Sequence, residues 1–143
     1  MARKPYAYFY GGYMNPAVLK AAGVSPEACK AGHVDGLALT VGPIANLEEK
    51  AGNRSYGLLA RVSHADLDRL YGGDAAHLKG LVYLPEAVLV HTEDGRAVPA
   101  LTYICPSLSG AAPDSAYVAT LVEAAERLGL PAEYIEFIRS FAP

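Results

Sequence analysis

The sequence predicts an α+β fold of about five to six strands with flanking helices. Three observations carry this. Glu93-Asp94-Gly95 sits between two β-rich runs, Gly80–His91 and Arg96–Cys105, and reads as the turn of an antiparallel hairpin. Helical stretches fall between the other strands at irregular intervals, which does not fit a regular β-α-β alternation. The remaining helical signals gather at the C-terminal end, after Pro113.

The first element is the clearest strand. Tyr6, Tyr8 and Tyr10 alternate with Ala7, Phe9 and Gly11, a period of two. It runs into Gly11-Gly12. Asn15-Pro16 then supplies an N-cap and a first-turn proline for a short helix that Gly23 stops. Ser25-Pro26-Glu27 repeats the combination of cap, proline and early acid, so a second short helical turn is expected there. His33–Val41 reads as a strand with a bulge or tight bend at Gly36, and Gly42-Pro43 breaks it.

Ile44–Glu48 is expected to be a short strand before a turn at Ala51-Gly52-Asn53, and Ser55–Val62 a clearer strand. Ser63, three positions before Asp66, gives a capping-box-like start to a helix His64–Tyr71, which Gly72-Gly73 ends. Asp74–Lys79 reads as loop, and the strand after it is expected to bend at Pro85. Pro106–Pro113 connects to a helix Ala116–Leu128, capped by Asp114 or Ser115, whose Tyr117, Leu121, Ala124, Ala125 and Leu128 share one face. Gly129 and Pro131 separate it from a last helix near Ala132–Phe141.

Composition bounds the function. A length of 143 residues fits one domain spanning 1–143, long enough to bury a single core. A hydrophobic share of 52% with 19% charged residues describes a soluble globular chain, not a disordered one. Net charge is −3 and no run of Lys and Arg provides the footprint nucleic acid needs, so no nucleic-acid partner is expected. The N-terminus has no apolar signal region and no run approaches the roughly 20 residues of a membrane span, so a cytoplasmic protein without a membrane partner is expected. Cys29 and Cys105 are read as two buried thiols. His33, His64, His77 and His91 show no ligand spacing, so no metal and no cofactor is expected. Ser107 and Ser109 lack a serine-hydrolase context, and Gly72-Gly73 is not a phosphate loop.

A strand, a glycine pair and a helix start within so few residues aim bare backbone N–H groups at an anion. Tyr10-Gly11-Gly12-Tyr13-Met14 also resembles the YGSNM or YGSNL signature of the γ-glutamylcyclotransferase-like proteins, small mixed β-barrels whose signature loop holds a glutamyl group. Tyr10, Gly11 and Met14 match, while Gly12 and Tyr13 stand where the family has Ser and Asn. Further along, Tyr56-Gly57-Leu58-Leu59 resembles a family strand, and Tyr83–Val98 its hairpin. Pro113-Asp114-Ser115-Ala116-Tyr117 and Gly129-Leu130-Pro131-Ala132-Glu133-Tyr134 are similar to its C-terminal helix junctions.

The resemblance implies a small mixed barrel and an intramolecular acyl transfer on a small-molecule substrate. The α-amine of a γ-glutamyl group attacks its own γ-carbonyl, closing 5-oxoproline and releasing an amine. It implies substrate-binding roles for Tyr10, Gly11, Gly12, Tyr13, Met14, Tyr71, Tyr83 and Tyr117. The family pattern Leu-Asp-x-x-Glu-Gly reads here as Leu67-Asp68-Arg69-Leu70-Tyr71-Gly72, so Tyr71 stands where the proton-transferring glutamate belongs. A phenol with an ordinary pKa near 10 is a poor base at neutral pH; Tyr71 either orients substrate or packs at the helix end. Asp74 and Glu86 are the stand-in catalytic acids, with Glu48 and Glu49 read as surface carboxylates. Two functions stay open: a cyclotransferase acting on a γ-glutamyl amine or amide, or a diverged relative that binds a small ligand or runs different chemistry.

Overall fold

The computed structural model describes residues 3–72, 81–106 and 111–143. Five strands, β1 (Tyr6–Phe9), β2 (Glu27–Val41), β3 (Ala45–Arg61), β4 (Leu84–Thr92) and β5 (Ala97–Ile104), close into a barrel in the order β1-β3-β2-β4-β5. Neighbouring strands are antiparallel except β1 and β5, which are parallel and make the barrel mixed. Among the described residues four α-helices accompany it: α1 (Pro16–Ala21), α2 (His64–Tyr71), α3 (Ser115–Leu128) and α4 (Ala132–Arg139). Among the described residues no helix is long and apolar enough to cross a membrane.

The tyrosine alternation of β1 divides the molecule's two cores. Tyr8 and Tyr10 turn into the barrel, against Leu59, Val90 and Ala100, and meet Leu121 of α3 and Ile138 of α4 in the same cluster. Ala7 and Phe9 turn the other way, onto Leu19 of α1, Leu58 of β3 and Leu67 of α2. Each fully buried large apolar side chain contributes about 1.5–3 kcal/mol relative to exposure. Burial of both faces makes β1 the centre of the fold despite its four residues. Gly57 lets β1 and β3 approach: a Cβ there would stand 2.3 Å from the Phe9 carbonyl oxygen.

The caps lie where the sequence places them. Asn15 accepts a hydrogen bond from the Ala17 N–H, Ser63 from Asp66 and Asp114 from Ala116, each through its side-chain oxygen. Gly129 ends α3 in the left-handed region at φ 74°.

Several sequence expectations are corrected. The helical turn expected at Ser25-Pro26-Glu27 does not form: Glu27 starts β2 and faces Arg61, because ladder pairing along β3 outweighs a local capping signal. The two strands expected around Ala51-Gly52-Asn53 are one, β3. There Asp35 faces Arg54 but Leu37 faces Glu49, so the extra residues of β3 bulge out with Gly52 at φ 83°. Cys105 is buried as expected, whereas Cys29 is exposed. The loop expected at Asp74–Lys79 and the residues Ser107 and Ser109 lie outside the described residues, as does His77.

Candidate functional site

A cavity of about 220 Å³ opens at the end of the barrel where β1 stops. Its floor is the loop between β1 and α1. The chain leaves the strand at Tyr10, passes Gly11 and makes one 3-10 turn over Gly12–Met14, with the Met14 N–H donating to the Gly11 carbonyl at 2.9 Å. Among the described residues no acceptor takes the N–H groups of Gly11, Gly12 and Tyr13. All three residues line the cavity. Gly11 packs closely: a Cβ there would meet that of Ala45 at 3.2 Å, whereas around Gly12 the space is open.

The rest of the wall is mostly tyrosine. Tyr10, Tyr13, Tyr71, Tyr83 and Tyr117 line it with Val18, Ile44 and Ala45. The Tyr10 hydroxyl donates to the Tyr103 carbonyl at 2.6 Å, which uses its proton. The Tyr117 hydroxyl does the opposite: it accepts the Ala45 N–H at 2.8 Å, so its own proton is available to a ligand. Asn46 holds the rim beside it, its amide group donating to the Cys105 carbonyl at 2.9 Å and accepting the Cys105 N–H at 3.1 Å.

Tyr71, at the end of α2, meets Tyr13 edge to face at 5.9 Å and Tyr83 at 5.1 Å, and stacks on Tyr103 at 4.3 Å. The stack fixes an aromatic wall where the sequence resemblance expects a carboxylate. Burial pushes Tyr83 up to about 12 and raises Tyr13 and Tyr117. It lifts Tyr10 and Tyr71 further. At neutral pH the cavity is therefore lined by neutral phenols that donate or accept hydrogen bonds but do not take up a proton.

The other expected residues are placed differently. Met14 is fully buried in the barrel core and anchors the loop from below without lining the cavity. Glu86 is exposed on β4 and lines a separate groove with Asp35, Glu49 and His91, although its charge is felt by Tyr10. Asp74 lies outside the described residues. Among the described residues no carboxylate lines the cavity, and no cluster of three His, Cys, Asp or Glu could hold a metal ion. Sequence reasoning missed Tyr103, the stacking partner of Tyr71. The hairpin register, which sets Tyr103 opposite Pro85, is the signal that would have found it.

A profile of the AIG2-like family matches residues 54–138, more than half of the chain. The chain belongs to the AIG2-like family. It is 24% identical over 102 residues to a γ-glutamylcyclotransferase of Mus musculus, a match covering 71% of this chain and 53% of the mouse protein, so the chain spans about half the length of that relative. Among solved structures, a γ-glutamyl cyclotransferase superposes with a TM-score of 0.83 at 19% identity, covering 98% of this chain and 89% of the other. An uncharacterized protein from Homo sapiens superposes at 0.82 and 19% identity, with 99% and 89% covered. The AIG2-like chain thus has the small mixed barrel of γ-glutamylcyclotransferase-like proteins.

Proposed function

We propose that this AIG2-like protein is a cyclotransferase that closes 5-oxoproline from a γ-glutamyl amine or amide. The observation that carries the reading is the set of three N–H groups, of Gly11, Gly12 and Tyr13, without an acceptor among the described residues, at the edge of a small cavity. The substrate's α-carboxylate sits on these amides, which replace its water. The γ-carbonyl takes the free Tyr117 proton, so that charge developing on its oxygen meets a fixed donor. The α-amine then attacks the γ-carbon, a five-membered ring closes, the bond to the departing nitrogen breaks and that nitrogen takes up a proton. Confinement in a cavity holding about seven waters' volume favours the folded substrate this closure needs.

The described wall carries neither a cation nor an anion around Tyr71 and Tyr83, which favours a departing amine without a carboxylate of its own. Proton transfer falls to Asp74, three residues beyond Tyr71 in the chain, because Glu86 lines a separate groove. The purified protein is incubated with γ-glutamyl amines and γ-glutamyl amino acids and 5-oxoproline is measured. Release from the amines, lost in Asp74→Asn and kept in Glu86→Gln, supports the reading. No release across the panel overturns it.

The second reading, a family member that binds a small acid without turning it over, is favoured by the neutral tyrosine wall. Saturable binding of glutamate or 5-oxoproline with no turnover would select it.

A further inference from the structure

On the flank of the barrel, away from the tyrosine cavity, the start of β1 and the start of β5 border a groove of about 660 Å³. That volume is in the range of small-molecule sites, about 300–1,000 Å³. Arg3, Lys4, Arg61 and Arg96 line it, with His64, while Pro5, Tyr6, Ala97, Pro99 and Leu101 supply apolar surface. No Asp or Glu is among its described lining residues, in a chain whose net charge is −3.

The arginine pairing is what singles this groove out. Of the seven arginines in the sequence, four have carboxylate partners: Arg54 with Asp35 at 2.7 Å, Arg69 with Asp66 at 3.4 Å, Arg127 with Glu123 at 3.2 Å and Arg139 with Glu126 at 3.9 Å. The other three, Arg3, Arg61 and Arg96, have none among the described residues, and all three line this groove. Arg61 is also held in place from behind. Its Nε donates to the Lys4 carbonyl at 3.2 Å, and its guanidinium lies 5.2 Å from the centre of the Tyr6 ring. The terminal nitrogens of that fork make no bond to a described residue. Glu27, opposite Arg61 in the β2–β3 ladder, is engaged by Lys4 at 2.7 Å.

We infer that this groove is a binding site for an organic anion with an apolar body, its carboxylate or phosphate head on the Arg61 and Arg96 guanidiniums and its body along Tyr6, Pro99 and Leu101. A guanidinium matches both oxyanions through paired N–H donors and sheds water more easily than an ammonium. Apolar surface beside unpaired cations suits a ligand with both characters, whereas a bare ion would use only the head contacts.

The test uses octanoate and octyl phosphate as the two oxyanion probes, with octanol and inorganic phosphate as controls, by calorimetry and by amide chemical shifts. Saturable binding is expected for one or both probes, with shifts confined to residues 3–6, 61 and 96–101. It should be at least fivefold tighter than for either control, and should weaken at least fivefold in Arg61→Gln and in Arg96→Gln. Raising salt should weaken it too, since exposed charges are screened over about 8 Å at physiological ionic strength. Arg96→Gln lies next to an exposed hairpin turn and leaves the core untouched, so it keeps the test valid even if Arg61→Gln disturbs β3. Preference for the phosphate or the carboxylate identifies the head. Equal binding of octanol or of inorganic phosphate overturns the inference, as do shifts centred on Gly11–Tyr13, unchanged affinity in Arg96→Gln, or no binding at all. Turnover of γ-glutamyl amines is not a readout here, so the two proposals fail separately.

Discussion

The Tyr117 hydroxyl, on the first turn of α3, accepts the Ala45 N–H at 2.8 Å and so ties the C-terminal helix to the rim of the barrel. In Tyr117→Phe that buried amide loses its partner, and stability should fall by about 1–3 kcal/mol, measured by urea unfolding. If the same hydroxyl donates to substrate, 5-oxoproline release should drop on the order of a hundredfold in kcat with the fold intact. An unchanged kcat would leave Tyr117 a structural residue only.

The pair of Tyr8 and Ser55 inside the barrel is a second buried hydrogen bond, at 2.9 Å. Ser55→Ala leaves the Tyr8 hydroxyl without its partner and should cost about 1–3 kcal/mol. Combining it with Tyr8→Phe removes both polar groups, and the double variant should be more stable than Ser55→Ala alone. Chemical denaturation of the four proteins gives the coupling directly.

Two glycines should respond oppositely to a side chain. Gly57→Ala forces a methyl group against the Phe9 carbonyl and should separate β1 from β3, with loss of soluble folded protein. Gly12→Ser finds open space at the cavity and should change thermal stability by no more than about 0.5 kcal/mol. The serine variant should instead alter ligand affinity, since Gly12 lines the cavity beside amides that have no acceptor among the described residues.

Alkaline stability follows from the buried phenols. In the unfolded chain tyrosine ionises near 10, whereas burial pushes Tyr83 and Tyr134 up to about 12 and Tyr8, Tyr10 and Tyr71 upward as well. Above pH 10 the unfolded state therefore loses protons that the folded state keeps, and stability falls as pH rises from there through the folded values. Unfolding free energy should be flat with respect to these groups from pH 7 to about 9 and decline above 10. Tyrosinate absorbance should show a fraction of phenols that ionise only as the protein unfolds.

What the sequence made legible was local. The β1 alternation, the Asn15, Ser63 and Asp114 caps and the hairpin at Glu93-Asp94-Gly95 all rest on contacts within a few residues, and each is present in the structure. The long β2–β3 pairing was hidden because a bulge puts Gly52 inside β3 and because Pro26 stands just before β2, and both read as turns when seen alone. At the cavity, the loop Gly11–Tyr13 was visible from its glycines. The Tyr71–Tyr103 stack was not, since it joins the end of a helix to a strand far along the chain. Glu86 shows the same limit: its type suits a base, but the pleat of β4 carries it into another groove.

β1 and β5 meet at one paired position, Ala7 with Leu101, and β2 and β4 at two, whereas β2–β3 and β4–β5 are paired along most of their length. The barrel is accordingly two ribbons stitched along thin seams. Tyr83 leads into one ribbon, while Gly11, Tyr13 and Ala45 belong to the other or to the loop it feeds. A molecule lodged among these residues acts as a staple across the stitching, and solvent deuterium should enter the facing edges of β1 and β5 more slowly once it is bound.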